Sequence, residues 1–137
     1  MQNPDLASDY IRRARIRLKA LDLLFDEESW ADVVRESQEI VELSLKALLR
    51  ARGIDPPRVH DVSEVLLAER DRMPEDLSGE VEKLTGISRT LRRDLELAFY
   101  GAEDLTPSRF YSREDATEAR RGAQVTVALV EPHVRGV

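Results

Sequence analysis

Two histidines stand in the 137 residues, and one of them, His60, sits among groups that could use it. An imidazole changes charge near neutral pH and so can act as a general acid or base. Arg50, Arg52, Arg58 and Asp61 lie close to it in the chain. An arginine can hold a phosphate while a histidine moves a proton. Together they are the minimum set for metal-free RNA cleavage, in which a 2′-hydroxyl attacks the adjacent phosphate. The candidate catalytic set is therefore His60 with Arg52 and Arg58. The structural alternative is that His60 packs against, or caps, the helix that starts at Asp61. His133 follows Pro132 near a chain end that is expected to fray.

Cations supply the remaining candidates. Arg12, Arg15 and Lys19 recur three and four apart and share one side of a helix, while Arg13 and Arg17 share another. Between the two rows lie Ile16, Ala20 and Leu23. The helix thus carries an apolar stripe in addition to its main one, and a helix apolar on two sides has a second partner. Either the bundle wraps this stripe, or Ile16, Ala20 and Leu23 are the face for a second copy or another protein. The cations beside them are candidates for phosphate contact, against the plainer reading of a solvated face laced by helix ion pairs such as Asp9–Arg13. Arg92 and Arg93, with Arg89, form a further cationic group ahead of Tyr100–Asp104, where pairing with Asp94, Glu96 and the acids of the next loop is the alternative. The candidate nucleotide- or RNA-binding residues are Arg12, Arg15, Lys19, Arg58, His60, Arg92 and Arg93.

Other chemistries find no support. There is no glycine-rich phosphate loop and no Gly-x-Ser-x-Gly elbow. The absence of cysteine excludes disulfides and thiolate metal sites, and two distant histidines make no zinc set. No Glu-x-x-His pair is present for a di-iron bundle. No cofactor and no metal are expected. The net charge of −6 means that any RNA contact must use a local patch. The N-terminus lacks the apolar run of a signal peptide and no segment is apolar enough to span a membrane, so a cytoplasmic chain is expected.

The elements that must position these residues are helices. Aromatic residues are 5% of the chain and charged residues 35%, a balance that suits surface-laced helices better than a sandwich. Ile11, Ala14, Leu18, Leu21 and Phe25 mark a first helix over about 5–25. Trp30, Val33, Ser37, Ile40, Ser44, Leu45 and Leu48 mark a second over about 30–52, opened by a Ser29/Asp32 capping box and stopped by a left-handed Gly53. Its two serines would let a neighbouring helix approach closely. Pro56 and Pro57 stiffen the loop that follows. Asp61 with Glu64 caps a short helix to about Arg72, which Pro74 ends. Leu77, Val81, Leu84, Ser88, Leu91, Leu95 and Ala98 predict a helix over about 77–99 with the seam of a bundle. A loop holding Pro107 leads to Ser112 and Asp115, which cap a last helix to about Val130; its small residues Ala116, Ala119 and Ala123 imply a tight crossing. The expectation is an all-α, antiparallel up-and-down four-helix bundle with one additional short helix, as a single domain over 1–137 with its core at about 5–130.

The segment Glu36–Asp61 resembles the HEPN family (higher eukaryote and prokaryote nucleotide-binding), through Ser44-Leu-Lys-Ala-Leu-Leu and then Gly-Ile-x-Pro-Pro-x-x-His-Asp. Leu97-Ala-Phe-Tyr-Gly-Ala-Glu-Asp104 and Tyr111-Ser-x-Glu-Asp-Ala116 are similar to later segments of the same family. The resemblance implies a helical bundle, commonly a homodimer, of the prokaryotic stand-alone kind encoded beside a minimal nucleotidyltransferase. In many such pairs the HEPN protein is an RNA-cleaving toxin and the nucleotidyltransferase its antitoxin. Catalytic members carry an arginine, four to six residues, then a histidine, and two copies meet at the site without metal. Here seven residues separate Arg52 from His60, one separates Arg58 from it, and no arginine of the last two long helices has a histidine at the required distance. The expected function is therefore a non-catalytic module that binds a nucleotidyltransferase, RNA or a nucleotide; the alternative is a metal-independent ribonuclease toxin.

Overall fold

The computed structural model describes residues 4–58, 61–96 and 107–134. Among these the chain forms α1 (Pro4–Asp26), α2 (Trp30–Ala51), α3 (Val62–Ala68), α4 (Glu75–Ser78), α5 (Val81–Glu96), α6 (Pro107–Phe110) and α7 (Arg113–Val130). Single 3-10 turns follow α3 at Arg70–Arg72 and α7 at Glu131–His133. The four long helices α1, α2, α5 and α7 make the expected bundle. The one short helix expected beside them is joined by two more. The helix expected over 77–99 is split: Pro74 opens the one-turn α4, Gly79 ends it, and α5 begins afresh at Val81. Leu77 still reaches the core, but from α4. Positions 97–99 lie outside the described residues.

Helix α2 is the centre of the packing. It lies against α1, α7, α5 and α3. A helix with neighbours on several sides cannot keep a single narrow stripe, and Ala31, Val34, Val41, Ala47 and Leu49 are buried in addition to the residues its periodicity marks. Trp30 is the exception among the marked ones. It is only partly buried and stands edge-to-face against Phe25, with ring centroids 5.1 Å apart. The guanidinium of Arg113 lies 4.9 Å from the Trp30 ring, and that of Arg120 lies 3.8 Å from the Phe25 ring. These cation–π contacts join the α1–α2 turn to α7. Helix α7 packs on α2, and its Ala116, Ala119 and Ala123 are buried. Beside them, a Cβ on Gly122 would come within 3.0 Å of Ile87, so α5 and α7 cross closely there. Of the two core serines, Ser44 donates to the Ile40 carbonyl at 2.8 Å.

The turns show which local signals decide the ends. After α2, Gly53 adopts φ 76°, the Gly53 N–H donates to the Arg50 carbonyl, and the Ile54 N–H donates to that of Leu49. This is a Schellman close with Ile54 buried beneath it. The end of α1 repeats it. Glu28 N–H donates to the Phe25 carbonyl and Ser29 N–H to that of Leu24, but the left-handed position, at φ 58°, is occupied by Glu28. That shared turn explains why the expected Ser29/Asp32 capping box does not form. The Ser29 N–H, which Asp32 would have accepted, is already committed to Leu24. Ser29 sits at ψ 71°, makes no side-chain cap, and its hydroxyl instead donates to Asp32 Oδ2 at 2.6 Å. At α7 the Ser112 N–H donates to Asp115 Oδ2 at 2.9 Å, and Ser112 and Asp115 form the full box.

The C-terminal turn is a second correction. His133 is not frayed: its Nε2 lies 3.1 Å from Asp76 Oδ2, and the next residue, Val134, is fully buried.

Opposite outcomes are expected at the two left-handed positions. Gly53→Ala places a Cβ with no hard clash but in an unfavoured conformation, and should lower stability by about 1 kcal/mol. Glu28→Gly should raise it by about 0.5–1 kcal/mol, because the 3.0 Å Glu28–Arg113 pair it removes is exposed on both sides and worth little. Urea denaturation of both variants checks the signs.

Candidate functional site

The residues picked out in the sequence fall into separate places. Arg52 is fixed at the end of α2. Its Nε donates to the Arg72 carbonyl at 2.7 Å, and Arg72 Nη2 returns a bond to the Arg52 carbonyl at 2.9 Å. The two arginines thus tie the end of α2 to the 3-10 turn by their backbones. Arg72 also approaches Glu69 at 3.5 Å. A guanidinium occupied by a carbonyl in this way is a brace, and it is turned toward residue 72.

Arg92 is engaged as well. It pairs with Glu42 at 3.0 Å and Asp61 at 3.6 Å, and Arg89 donates to the Ser63 hydroxyl at 3.1 Å. Arg89 and Arg92 therefore knit α5 to α2 and α3. The acids expected as partners, Asp94, Glu96 and those of the next loop, have side chains outside the described residues. Asp61 does two things at once. One carboxylate oxygen accepts from the Ser63 N–H at 2.9 Å, capping α3 as its sequence predicts, and the same oxygen faces Arg92. Arg93 is exposed on the same helix. His60, and the segment Leu97–Asp104, lie outside the described residues.

On α1 the second apolar stripe is open to solvent. Ile16 is 45% exposed and Leu23 63%, with exposed Ala20 between them. The bundle does not wrap this face. The cations beside it are divided. Arg15 pairs with Glu131 at 3.0 Å, and Arg17 reaches Glu36 at 3.4 Å and Glu39 at 3.7 Å. Arg12, Arg13 and Lys19 are exposed. The ion pairs of this helix thus run to its neighbours, and no Asp9–Arg13 pair is found among the described residues.

Of the two described candidate catalytic residues, Arg58 opens onto a cavity. That cavity, of about 300 Å³, is lined by Tyr10, Lys46, Arg50, Pro56, Pro57 and Arg58. Lys46 and Arg50 stand four apart on α2, one turn above the other. Tyr10 comes from α1, and the Arg50 guanidinium lies 5.6 Å from its ring centroid. The Gly53 turn and the two prolines bring Arg58 round to meet them. Tyr10 and Lys46 were missed in the sequence. The four-residue spacing of Lys46 and Arg50 was legible, but nothing local places Tyr10 against them.

Among the described residues no group of histidines and carboxylates could hold a metal ion, and no helix is long and apolar enough to cross a membrane. The HEPN domain family model matches residues 7–132. The chain belongs to the HEPN family. Among solved structures, this HEPN chain is similar to the crystal structure of TT1696 from Thermus thermophilus, at 26% identity and a TM-score of 0.69, over 93% of this chain and 97% of that one. No curated protein matches it.

Arg52→Ala should act on stability and not on ligand binding. Losing the brace is expected to cost about 1 kcal/mol, read by thermal or urea unfolding. If Arg52→Ala instead abolished RNA or nucleotide binding in a protein of unchanged stability, the structural role would be wrong.

Proposed function

We propose that this HEPN chain works by binding and not by cutting, as a homodimer joined through the open face of α1. The observation that carries this reading is the solvent-exposed Ile16–Ala20–Leu23 stripe on a helix whose opposite side is already buried. Its order is self-complementary. In an antiparallel pairing centred between Lys19 and Ala20, Ile16 meets Leu23 of the partner subunit. In the same register exposed Arg12 faces Glu27 of the partner subunit, and Arg13 faces Asp26 of the partner subunit. Ala20 at the centre permits close approach, and the Lys19 stem covers it. One surface then serves both copies, as a two-fold interface requires. The partner beyond the dimer, on the family resemblance, is a minimal nucleotidyltransferase in a toxin–antitoxin type pair, within the cytoplasm. Of the cations expected to contact RNA, Arg15 and Arg92 are held by carboxylates, and Arg12 and Lys19 belong to the dimer face in this reading.

The ribonuclease alternative needs an arginine free to hold phosphate beside His60. Arg52 is committed to the Arg72 carbonyl, which weighs against it. That leaves Arg58, whose spacing from His60 departs furthest from the family's catalytic pattern.

Two outcomes follow. Light scattering at micromolar concentration should give a dimer, and Leu23→Glu should give a monomer of nearly unchanged melting temperature. Arg12→Glu should weaken the dimer and Arg12→Glu with Glu27→Arg should restore it. A monomeric wild-type protein, or a Leu23→Glu dimer, would sink the proposed face. Purified protein in chelator should leave a broad set of RNAs uncut. Cleavage that disappears in His60→Ala would instead establish the metal-free nuclease.

A further inference from the structure

The cavity between α1, α2 and the loop after Gly53 has no part in the dimer face. Among the described residues that line it, Lys46, Arg50 and Arg58 are cationic and none is a carboxylate. Elsewhere in the molecule arginines such as Arg15, Arg17, Arg92, Arg113 and Arg120 each stand against a carboxylate. Among the described residues Lys46, Arg50 and Arg58 have no such partner. Gathering three like charges is unfavourable unless something of opposite sign joins them. The Nε of Arg50 adds a sharper demand: it is shielded from solvent and makes no hydrogen bond. A shielded donor without an acceptor is a standing cost, and a bound anion is one way to remove it.

The chemistry of the lining selects the anion. Two guanidinium forks and one ammonium suit a group with several oxygens, such as a phosphate. Tyr10 and the paired prolines offer flat and apolar surface to whatever carries it. A cavity of about 300 Å³ is at the small end of ligand sites, room for one compact group and not for a strand. An overall charge of −6 gives no long-range attraction for anions, so capture must depend on these side chains.

We propose that Lys46, Arg50 and Arg58, with Tyr10, form a binding site for a terminal phosphate monoester carried on a small organic group. The 5′-phosphate of a free nucleotide and that of an RNA end share this chemistry. The proposal rests on the reading of the chain as a binding module, but not on its dimer. Lys46 and Arg50 hold the phosphate oxygens from one side and Arg58 closes from the loop. Arg50 is the residue that would change environment most, because its shielded Nε gains an acceptor.

The test uses the full chain. Adenosine monophosphate at millimolar concentration should raise the melting temperature, as any ligand of the folded state does. Calorimetry should give an affinity that falls at least about ten-fold in Lys46→Glu and in Arg58→Glu, the scale of one charge-assisted hydrogen bond. Both side chains lie outside the core, and their melting temperatures without ligand verify that they fold. Arg121→Glu, on exposed α7 surface, should bind as wild type. Binding of 5′-phosphorylated RNA but not of 5′-hydroxyl RNA, with no response to adenosine monophosphate, would support the site and name RNA ends as its source. Response to adenosine monophosphate would support it and name free nucleotide. No response to either phosphomonoester, or unaltered binding in Lys46→Glu and Arg58→Glu, would each overturn it. Leu23→Glu separates the two readings. A monomer that still binds adenosine monophosphate keeps this site whatever becomes of the dimer face. A dimer that binds no phosphomonoester loses only the site.

Discussion

The burial of α2 sets the terms for the rest of the molecule. With α1, α7, α5 and α3 all packed on it, polar side chains have little room along its length. Glu42, Lys46 and Arg50 occupy one strip, each a helical turn from the next. Polar contacts on both sides of position 60 draw on that strip. Glu42 receives Arg92, while Lys46 and Arg50 face Arg58. Two described residues on either side of position 60, Arg58 and Asp61, are thereby referred to the same helix by different means, one through a shared cavity and one through Arg92.

The bundle was legible because helix periodicity is a property of neighbours in sequence. The seams of α1, α2 and α7, the Gly53 stop, the Asp61 cap and the Ser112/Asp115 box all follow from spacings of three and four or from one residue's backbone preference. The errors occurred where two local rules compete for one group. Ser29 has the type of an N-cap, yet its N–H closes the preceding helix, and the capping box gives way. Glu28 occupies a left-handed position that its residue type does not advertise. His133 looked free because the chain is near its end, and only tertiary structure sets Asp76 beside it.

The polar sites were less legible for the same reason on a larger scale. A guanidinium reaches far, and sequence does not say which carboxylate or carbonyl it will meet. Arg52 and Arg58 were equivalent candidates as read, six residues apart across the Gly53 stop. In the fold one braces the Arg72 backbone and the other faces a cavity. Tyr10 became part of that cavity only because α1 returns antiparallel along α2. The second apolar stripe of α1, by contrast, was legible as a stripe, and the fold leaves Ile16 and Leu23 exposed instead of wrapping them.

The central place of α2 also governs how the chain can be made. Its apolar surface is complete at Ala51, but α7, which covers much of it, does not begin until Arg113. Synthesis proceeds at about 5–20 residues per second, so roughly sixty intervening residues leave that surface half covered for several seconds. During that interval α1, and later α5, are its long companions, and the side that α7 will cover stays open to whatever else is in the cell. Closure waits on a helix that starts with a well-formed capping box at Ser112, which favours prompt nucleation of α7 once it leaves the ribosome. The chain thus carries its most dependable helix start at the point where delay would expose the most apolar surface.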